Sequence, residues 1–340
     1  MSIPRLPRPR RKSPRPRPER AGPRRPPLRF RRDGTFTIVQ LTDVHWTTGR
    51  GADERTRDLI EGVLEIERPD LVVFTGDVVS GEGTPDPGAA LREATGIADS
   101  RGISWTLVLG NHDDEGRASR ADLLAAAKRL PLCLAERGPR GITGVGNHVL
   151  RVRSSRSARL ALALYFVDSG AYDALGFGHY DWVRRDQIAW YLEISARLQR
   201  DFVAAGRKVR SRLPALAFFH IPLPEWDEVW RTQECRGYRQ EDVCSPALNS
   251  GFFAAMAESG DVMGAFCGHD HLNDYEGELH GIRLCYGRAT GFGEYGKKGF
   301  RRGARVIRLR EGQRRFETWV RVERGRRARA PRHRPEAWTS

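Results

Sequence analysis

The chain has 340 residues and a formal charge of +15, but nine Arg, one Lys and one Glu fall in residues 1–27 and six Arg and one Glu in 324–340, so residues 28–323 carry only +1. No run approaches the ~18 consecutive apolar residues of a membrane span, and the Arg-rich start lacks the apolar stretch of a secretory signal. Five cysteines (133, 235, 244, 267, 285), an odd number with no CxxC, argue against a disulfide framework or zinc knuckle, so a soluble, cytoplasmic protein with free thiols is expected.

Residues 1–27 are Pro/Arg low complexity, too poor in apolar side chains to offset the entropy of ordering. They are expected to be a disordered tail, and 324–340 a second basic tail, flanking a single domain over 28–323. The tails suit, at most, weak electrostatic contact with nucleic acid or an anionic membrane.

From Phe36 the pattern alternates. "FTIVQLTD" reads as a strand; "DERTRDLIEGVLEIERPD" reads as a helix with Leu59, Ile60, Val63 and Leu64 on one face and a stop at Pro69. "LVVFTGD" is a short apolar run of the kind a buried parallel strand shows. A helix over 87–100, the strand "ISWTLVLG" and the helix "SRADLLAAAKRL" complete three β-α repeats. After Gly141 the strands "ITGVGNHVLRVR" and "RLALALYFVDSG" follow one another. Next come a helix over 184–205, the strand "LPALAFFH", a helix near 247–258 and the strand "DVMGAFCG". The end is mostly β: "GIRLCYG", "GARVIRLR" and "RRFETWVRV". This order implies a layered α/β protein with sheets packed face to face and helices outside.

The strand ends carry the chemistry. They deliver Asp43 and His45, then Asp77, then Asn111, His112 and Asp113, then His220, then His269 and His271, at the edge where open α/β sheets bind ligands. Of these, Asp43, Asp77, Asn111, His45, His220, His269 and His271 make seven metal-binding groups, enough for two cations if one Asp bridges. Mixed O/N ligation without thiolate suits Mn, Fe or Zn. Gly76, Gly110 and Gly268 precede these groups and would let the backbone turn sharply.

The ordered set D-x-H, GD, GNH[DE], H, GH-x-H resembles the calcineurin-like metallophosphoesterase superfamily over roughly residues 28–322. "HYDWVRRDQIAWY", "FFHIPLPEW" and "GHDHLNDY" are similar to a branch of phosphatases distinct from the purple acid phosphatases beside it. A purple enzyme has a tyrosinate three positions after the GD aspartate, where this chain has Ser80. The resemblance implies a four-layer α/β/β/α sandwich. It also implies one metal on Asp43, His45, Asp77 and His271 and a second on Asp77, Asn111, His220 and His269. A metal-bridging hydroxide would be the nucleophile and His112 the general acid. Asp113, Asp114 and Glu115 all remain candidates to orient His112.

A second Gly-Asn-His at 146–148 lies in a β-rich segment, where Gly-Asn is an ordinary hairpin signal, and His148 is expected to be structural. "GFGEYGKK", Gly291 to Lys298, matches G-x-G-x-x-G, but a strand follows rather than a helix, so a phosphate-cradling turn is not expected. Lys297 or Arg288 could instead lie near a substrate phosphate. The expected function is a phosphomonoesterase acting on a phosphorylated small molecule or phosphoprotein. A phosphodiesterase or nuclease on the same site is the alternative within the class, and a nucleic-acid-binding protein without turnover the alternative outside it.

Overall fold

The computed structural model describes residues 27–47, 51–206, 208 and 210–335. In chain order the elements are β1 (Thr35–Leu41), α1 (Ala52–Glu67), β2 (Leu71–Thr75), α2 (Pro87–Ser100), β3 (Trp105–Val108), α3 (Arg120–Ala127), β4 (His148–Arg153), β5 (Leu160–Phe166), α4 (Arg185–Ala204) and β6 (Ala215–Phe218). They continue with α5 (Glu225–Thr232), β7 (Cys235–Arg236), α6 (Phe252–Ser259), β8 (Val262–Cys267), β9 (Glu276–Leu279), β10 (Ile282–Tyr286), β11 (Gly303–Arg310), β12 (Phe316–Val322), β13 (Arg326–Arg327) and β14 (Arg332–His333).

Local chemistry sets the helix boundaries. Asp86 caps α2 by accepting the Ala89 N–H at 2.8 Å, with Pro87 in the first turn. Ser119 and Asp122 form a reciprocal capping box at α3. α6 starts later than the sequence suggests because the Asn249 side chain accepts the Gly251 N–H at 2.9 Å, turning the chain before the helix. α5 falls between the strand "LPALAFFH" and the helix near 247–258, where the sequence pattern predicts no element.

Two mixed sheets result, ordered β13-β12-β11-β1-β2-β3 and β14-β7-β9-β10-β8-β6-β5-β4. β1, β2 and β3 run parallel, as do β5, β6, β8 and β10. Their facing surfaces enclose Phe36, Ile38, Val73 and Val108 against Phe166, Phe218 and Phe266. The outer face of the first sheet is covered by Leu59, Val63, Leu91 and Leu123 of α1–α3, and that of the second by Tyr191, Leu198, Trp226 and Met256 of α4–α6. The expected α/β/β/α layering is therefore present. Strands covered on both sides explain why the central runs are apolar throughout rather than alternating.

The termini divide. The N-terminal tail lies outside the described residues except for residue 27. The C-terminal segment is a correction: β13 pairs with β12 and β14 with β7, so strand structure continues beyond residue 323 to residue 333. The physical reason is a set of partners the charge pattern does not reveal. His333 stacks on Trp230 with ring centroids 3.8 Å apart, and Arg332 pairs with Glu234. All five cysteines are free thiols, and only Cys244 is exposed. Among the described residues no helix is long and apolar enough to cross a membrane.

Candidate metal centre

The carboxyl ends of β1, β2, β3, β6 and β8 converge, and the loops leaving them cross-link. Val44 N and His45 N both donate to Asp77 O, at 2.8 and 2.9 Å, and Gly268 N donates to His220 O at 3.0 Å. Among the described residues seven non-glycine positions have positive φ, and Asp43, His45, Asp77 and His269 are four of them. Such backbone is held only where surrounding structure over-determines it, and it concentrates at functional sites. The neighbouring glycines work mainly by lacking a side chain. A Cβ on Gly110 would lie 2.1 Å from Asp77 Oδ1, and one on Gly268 1.8 Å from Thr42 Oγ1; Gly76, at φ 87°, is the one of the three with a left-handed turn.

Two buried groups of potential ligands form, Asp43–His45–His271 and Asp77–His220–His269. Each aspartate gives one oxygen to the backbone: Asp43 Oδ1 accepts His269 N–H at 3.0 Å and Asp77 Oδ1 accepts His112 N–H at 2.8 Å. The other oxygens, Asp43 Oδ2 and Asp77 Oδ2, are buried without a hydrogen bond. Asp77 Oδ2 lies 3.0 Å from His220 Nε2 and 3.8 Å from His45 Nε2, so one atom faces both groups. His220 Nε2 is also 3.1 Å from Asn111 Oδ1 and 3.3 Å from His269 Nδ1, which places Asn111 with the second group.

The ring partners say which nitrogens are bare. His220 Nδ1 meets the Thr75 carbonyl at 2.8 Å and His271 Nδ1 meets the Tyr295 carbonyl at 3.3 Å. A carbonyl only accepts, so each Nδ1 carries the hydrogen and each Nε2 points inward, where it could ligate. Ser80 Oγ lies 3.3 Å from His45 Nδ1, orienting that ring. His45 Nε2 and His271 Nε2 then face each other at 3.2 Å. Two ligands at about 2.1 Å from one ion lie about 3.0–3.4 Å apart for octahedral to tetrahedral angles. These spacings, with Asp43 Oδ2 orphaned and Asp77 Oδ2 facing only imidazole rings, are what a cation in each group would resolve, and the residues fit two ions.

Electrostatics agrees. Burial pushes the Asp43 carboxyl up to about 7, with the neighbouring Asp77 charge adding to it. Burial holds His45 down to about 4 and His269 and His271 well below the usual imidazole range, leaving them neutral and able to ligate. Burial opposes the charge on His220 as well, but the Asp77 carboxylate outweighs it and raises that group to about 9. Metal binding would replace the proton there, making ion uptake and proton release one equilibrium.

His112 stands at the open rim, its side chain 41% exposed, with its ring centroid 5.3 Å from that of His45. The structure chooses its partner among the three acids. Glu115 Oε2 meets His112 Nδ1 at 2.7 Å. Asp113 is buried, accepting Val79 N–H at 2.9 Å and Gly110 N–H at 2.7 Å, and Asp114 pairs with Arg120 at 2.9 Å. Glu115 Oε1 in turn accepts from the Tyr172 hydroxyl, which accepts from Asn111 Nδ2 at 3.0 Å. Sequence reading missed Tyr172; its signal was its place just beyond the end of β5, and neither spacing nor motif marks it.

Other sequence candidates fall elsewhere. His148 is buried on β4, stacked on Phe166, its ring bonded to Gly146 O and Thr106 Oγ1. The Gly146-Asn147 pair enters a strand rather than closing a hairpin: Asn147 Oδ1 accepts from Asp168 N and Gln187 Nε2. Arg288 is buried in an ion pair with Asp274, a correction to its expected place beside substrate phosphate, because Asp274 supplies the partner its charge needs on burial. Lys297 is exposed on the loop after β10.

A model of the calcineurin-like phosphoesterase family matches residues 36–273. The chain is 36% identical over 322 residues to the probable inactive purple acid phosphatase 14 of Arabidopsis thaliana, covering 87% of this chain and 80% of that one. It is 34% identical over 324 residues to phosphatase DCR2 of Saccharomyces cerevisiae, covering 85% and 54%. Its fold is similar to that of a dimetal phosphatase from Danio rerio, with a TM-score of 0.54 and 15% identity over 83% of this chain and 98% of that one.

Proposed function

Because this chain belongs to the calcineurin-like phosphoesterase family, we propose that it is a two-metal phosphomonoesterase with His112 as general acid. The carrying observation is the pair of buried His/Asp groups sharing Asp77 Oδ2, with the His112–Glu115 pair at their solvent-facing rim. When bound, the two ions supply Lewis acidity toward the phosphoryl oxygens and activation of water at neutral pH. The chain's own residues do the rest. Asp43, His45, Asp77 and His271 would hold one ion; Asp77, Asn111, His220 and His269 would hold the other. Manganese, iron and zinc all suit this donor set.

Glu115 accepts the His112 Nδ1 proton, which leaves the opposite nitrogen to protonate the departing alkoxide. Burial works against charge on His112, yet Asp77 and the Glu115 bond together raise its proton affinity, as an acid at neutral pH requires. Ser80 stands three residues after Asp77, so no tyrosinate centre is expected. The Arabidopsis relative is named inactive, but in this chain all seven ligand positions and His112 are filled, which supports turnover.

The test is metal analysis of the purified chain together with hydrolysis of p-nitrophenyl phosphate and of its bis-ester. Two ions per chain and a clear preference for the monoester support the reading. Preference for the bis-ester makes it a phosphodiesterase, and no ester cleaved with two ions bound overturns it.

A further inference from the structure

Beside the metal centre the surface carries two adjoining clefts. The nearer, of about 300 Å³, is lined by Glu294, Lys297, Arg302 and Glu323 among others; the farther, of about 500 Å³, by Arg326, Arg327, Arg329 and Tyr238. They share Lys298, Gly299, Phe300 and Arg301, so the two clefts adjoin along that loop; together they are termed the channel. Its near end touches the candidate site: Glu294 Oε1 is 3.9 Å from His45 Nδ1, and the Tyr295 ring stacks on His271 at 4.2 Å.

The two ends differ in sign. The near cleft mixes acids with bases, whereas no acidic residue lines the far one. Lys298, Arg301, Arg326 and Arg329 are exposed there, and among the described residues their side chains have no ion-pair or hydrogen-bond partner. Cations gathered around one cleft without acids focus a field that attracts anions.

We infer that the channel binds an acidic segment of a phosphoprotein substrate, whose carboxylates occupy the far cleft while its phosphorylated side chain reaches the metal centre. The inference rests on the phosphatase reading and names its substrate class. Single-stranded nucleic acid fits less well, because such binders offer free aromatic faces for base stacking. Here Arg288 lies 3.5 Å over Phe300 and Arg55 lies 3.9 Å over Phe292, so both rings already carry a guanidinium. The mixed near cleft sets a position rule: acidic residues help when removed from the phosphorylated one, not when adjacent to it.

The experiment uses the full metal-loaded chain and three labelled phosphoserine peptides, with Asp/Glu distal, Asp/Glu adjacent, or Ala throughout. Anisotropy gives affinity, and kcat/KM is taken relative to p-nitrophenyl phosphate. The distal-acid peptide is expected to bind about tenfold more tightly than the Ala peptide, with the gain lost near 0.5 M salt and lost in K298E/R301E. R326A/R329A, at the other side of the cleft, gives an independent second variant should the first fail to fold. Equal affinity for distal-acid and Ala peptides overturns the inference, as does a gain that survives both variants or tighter binding of a single-stranded RNA of equal charge. A salt-sensitive gain in a protein that cleaves no phosphoester supports the channel and overturns the phosphatase reading instead.

Discussion

At the scale of single residues the rim of the site separates positions that would touch metals from the one that, in the proposed reaction, would handle a proton. His112 contributes its backbone N–H to Asp77 Oδ1, while its ring sits edge-on to His45 and belongs to neither ligand group. His112→Asn should therefore keep both ions, checked by elemental analysis, and lower kcat by about 10²–10⁴-fold. The loss should be larger for alkyl phosphates than for p-nitrophenyl phosphate, whose leaving group needs little protonation. Glu115→Gln removes one of the influences that raise the His112 proton affinity. A general acid works while protonated, so activity falls as pH rises through its pKa. In Glu115→Gln that fall should begin at lower pH, with kcat reduced about tenfold at neutral pH. An unshifted basic limb would remove Glu115 from the role. Asp113→Asn is the control: its carboxylate holds Val79 N–H and Gly110 N–H, so its effect should be on folding.

At the scale of elements, strand ends were legible where the chemistry is dense. Asp43, Asp77, Asn111, His220, His269 and His271 each follow an apolar run, and a run buried on both faces is visible in sequence. Partnerships across sequence distance were not legible. Nothing in "RHR" at 332–334 announces Trp230 and Glu234, and nothing in "GAYDA" announces that Tyr172 reaches Glu115, 57 residues away. The second Gly-Asn-His shows the same limit, since its structural role is set by a partner on another sheet. His148 on β4 bonds Thr106 on β3 at 2.8 Å, joining the edges of the two sheets. Burial holds its pKa down to about 4, against about 6.5 unfolded. Between those values the unfolded chain binds a proton that the folded chain refuses, so stability falls as pH drops from 6.5 toward 4, by up to about 3 kcal/mol. His148→Phe keeps a ring on Phe166 but cannot titrate, so its Tm should fall less steeply over that window. Parallel Tm–pH curves for the two proteins would exclude this source of acid sensitivity.

At the scale of the whole molecule the ligands come from both sheets. Asp43, Asp77 and Asn111 follow β1, β2 and β3, while His220 and His269 follow β6 and β8. In the group around Asp77 an ion would join residues of opposite sheets, as it would for Asp43 and His271 in the other. Without ions, the protein holds Asp43 Oδ2 buried with no hydrogen bond, Asp77 Oδ2 facing only the His220 and His45 rings, and four candidate ligands in left-handed backbone, an unfavourable arrangement. Ions that bind the folded chain and not the unfolded one stabilise it by mass action, about 2.7 kcal/mol per site at 100 times Kd. For a domain of this size that corresponds to a rise in Tm of roughly 4 °C per site. Chelation should reverse it, and Asp77→Ala, which removes the oxygen facing both groups, should respond to neither metal nor chelator. Because His220 must give up a proton to bind, the stabilisation should also shrink as pH falls. A wild-type Tm indifferent to metal while two ions are bound would mean that the ions do not hold the two sheets together.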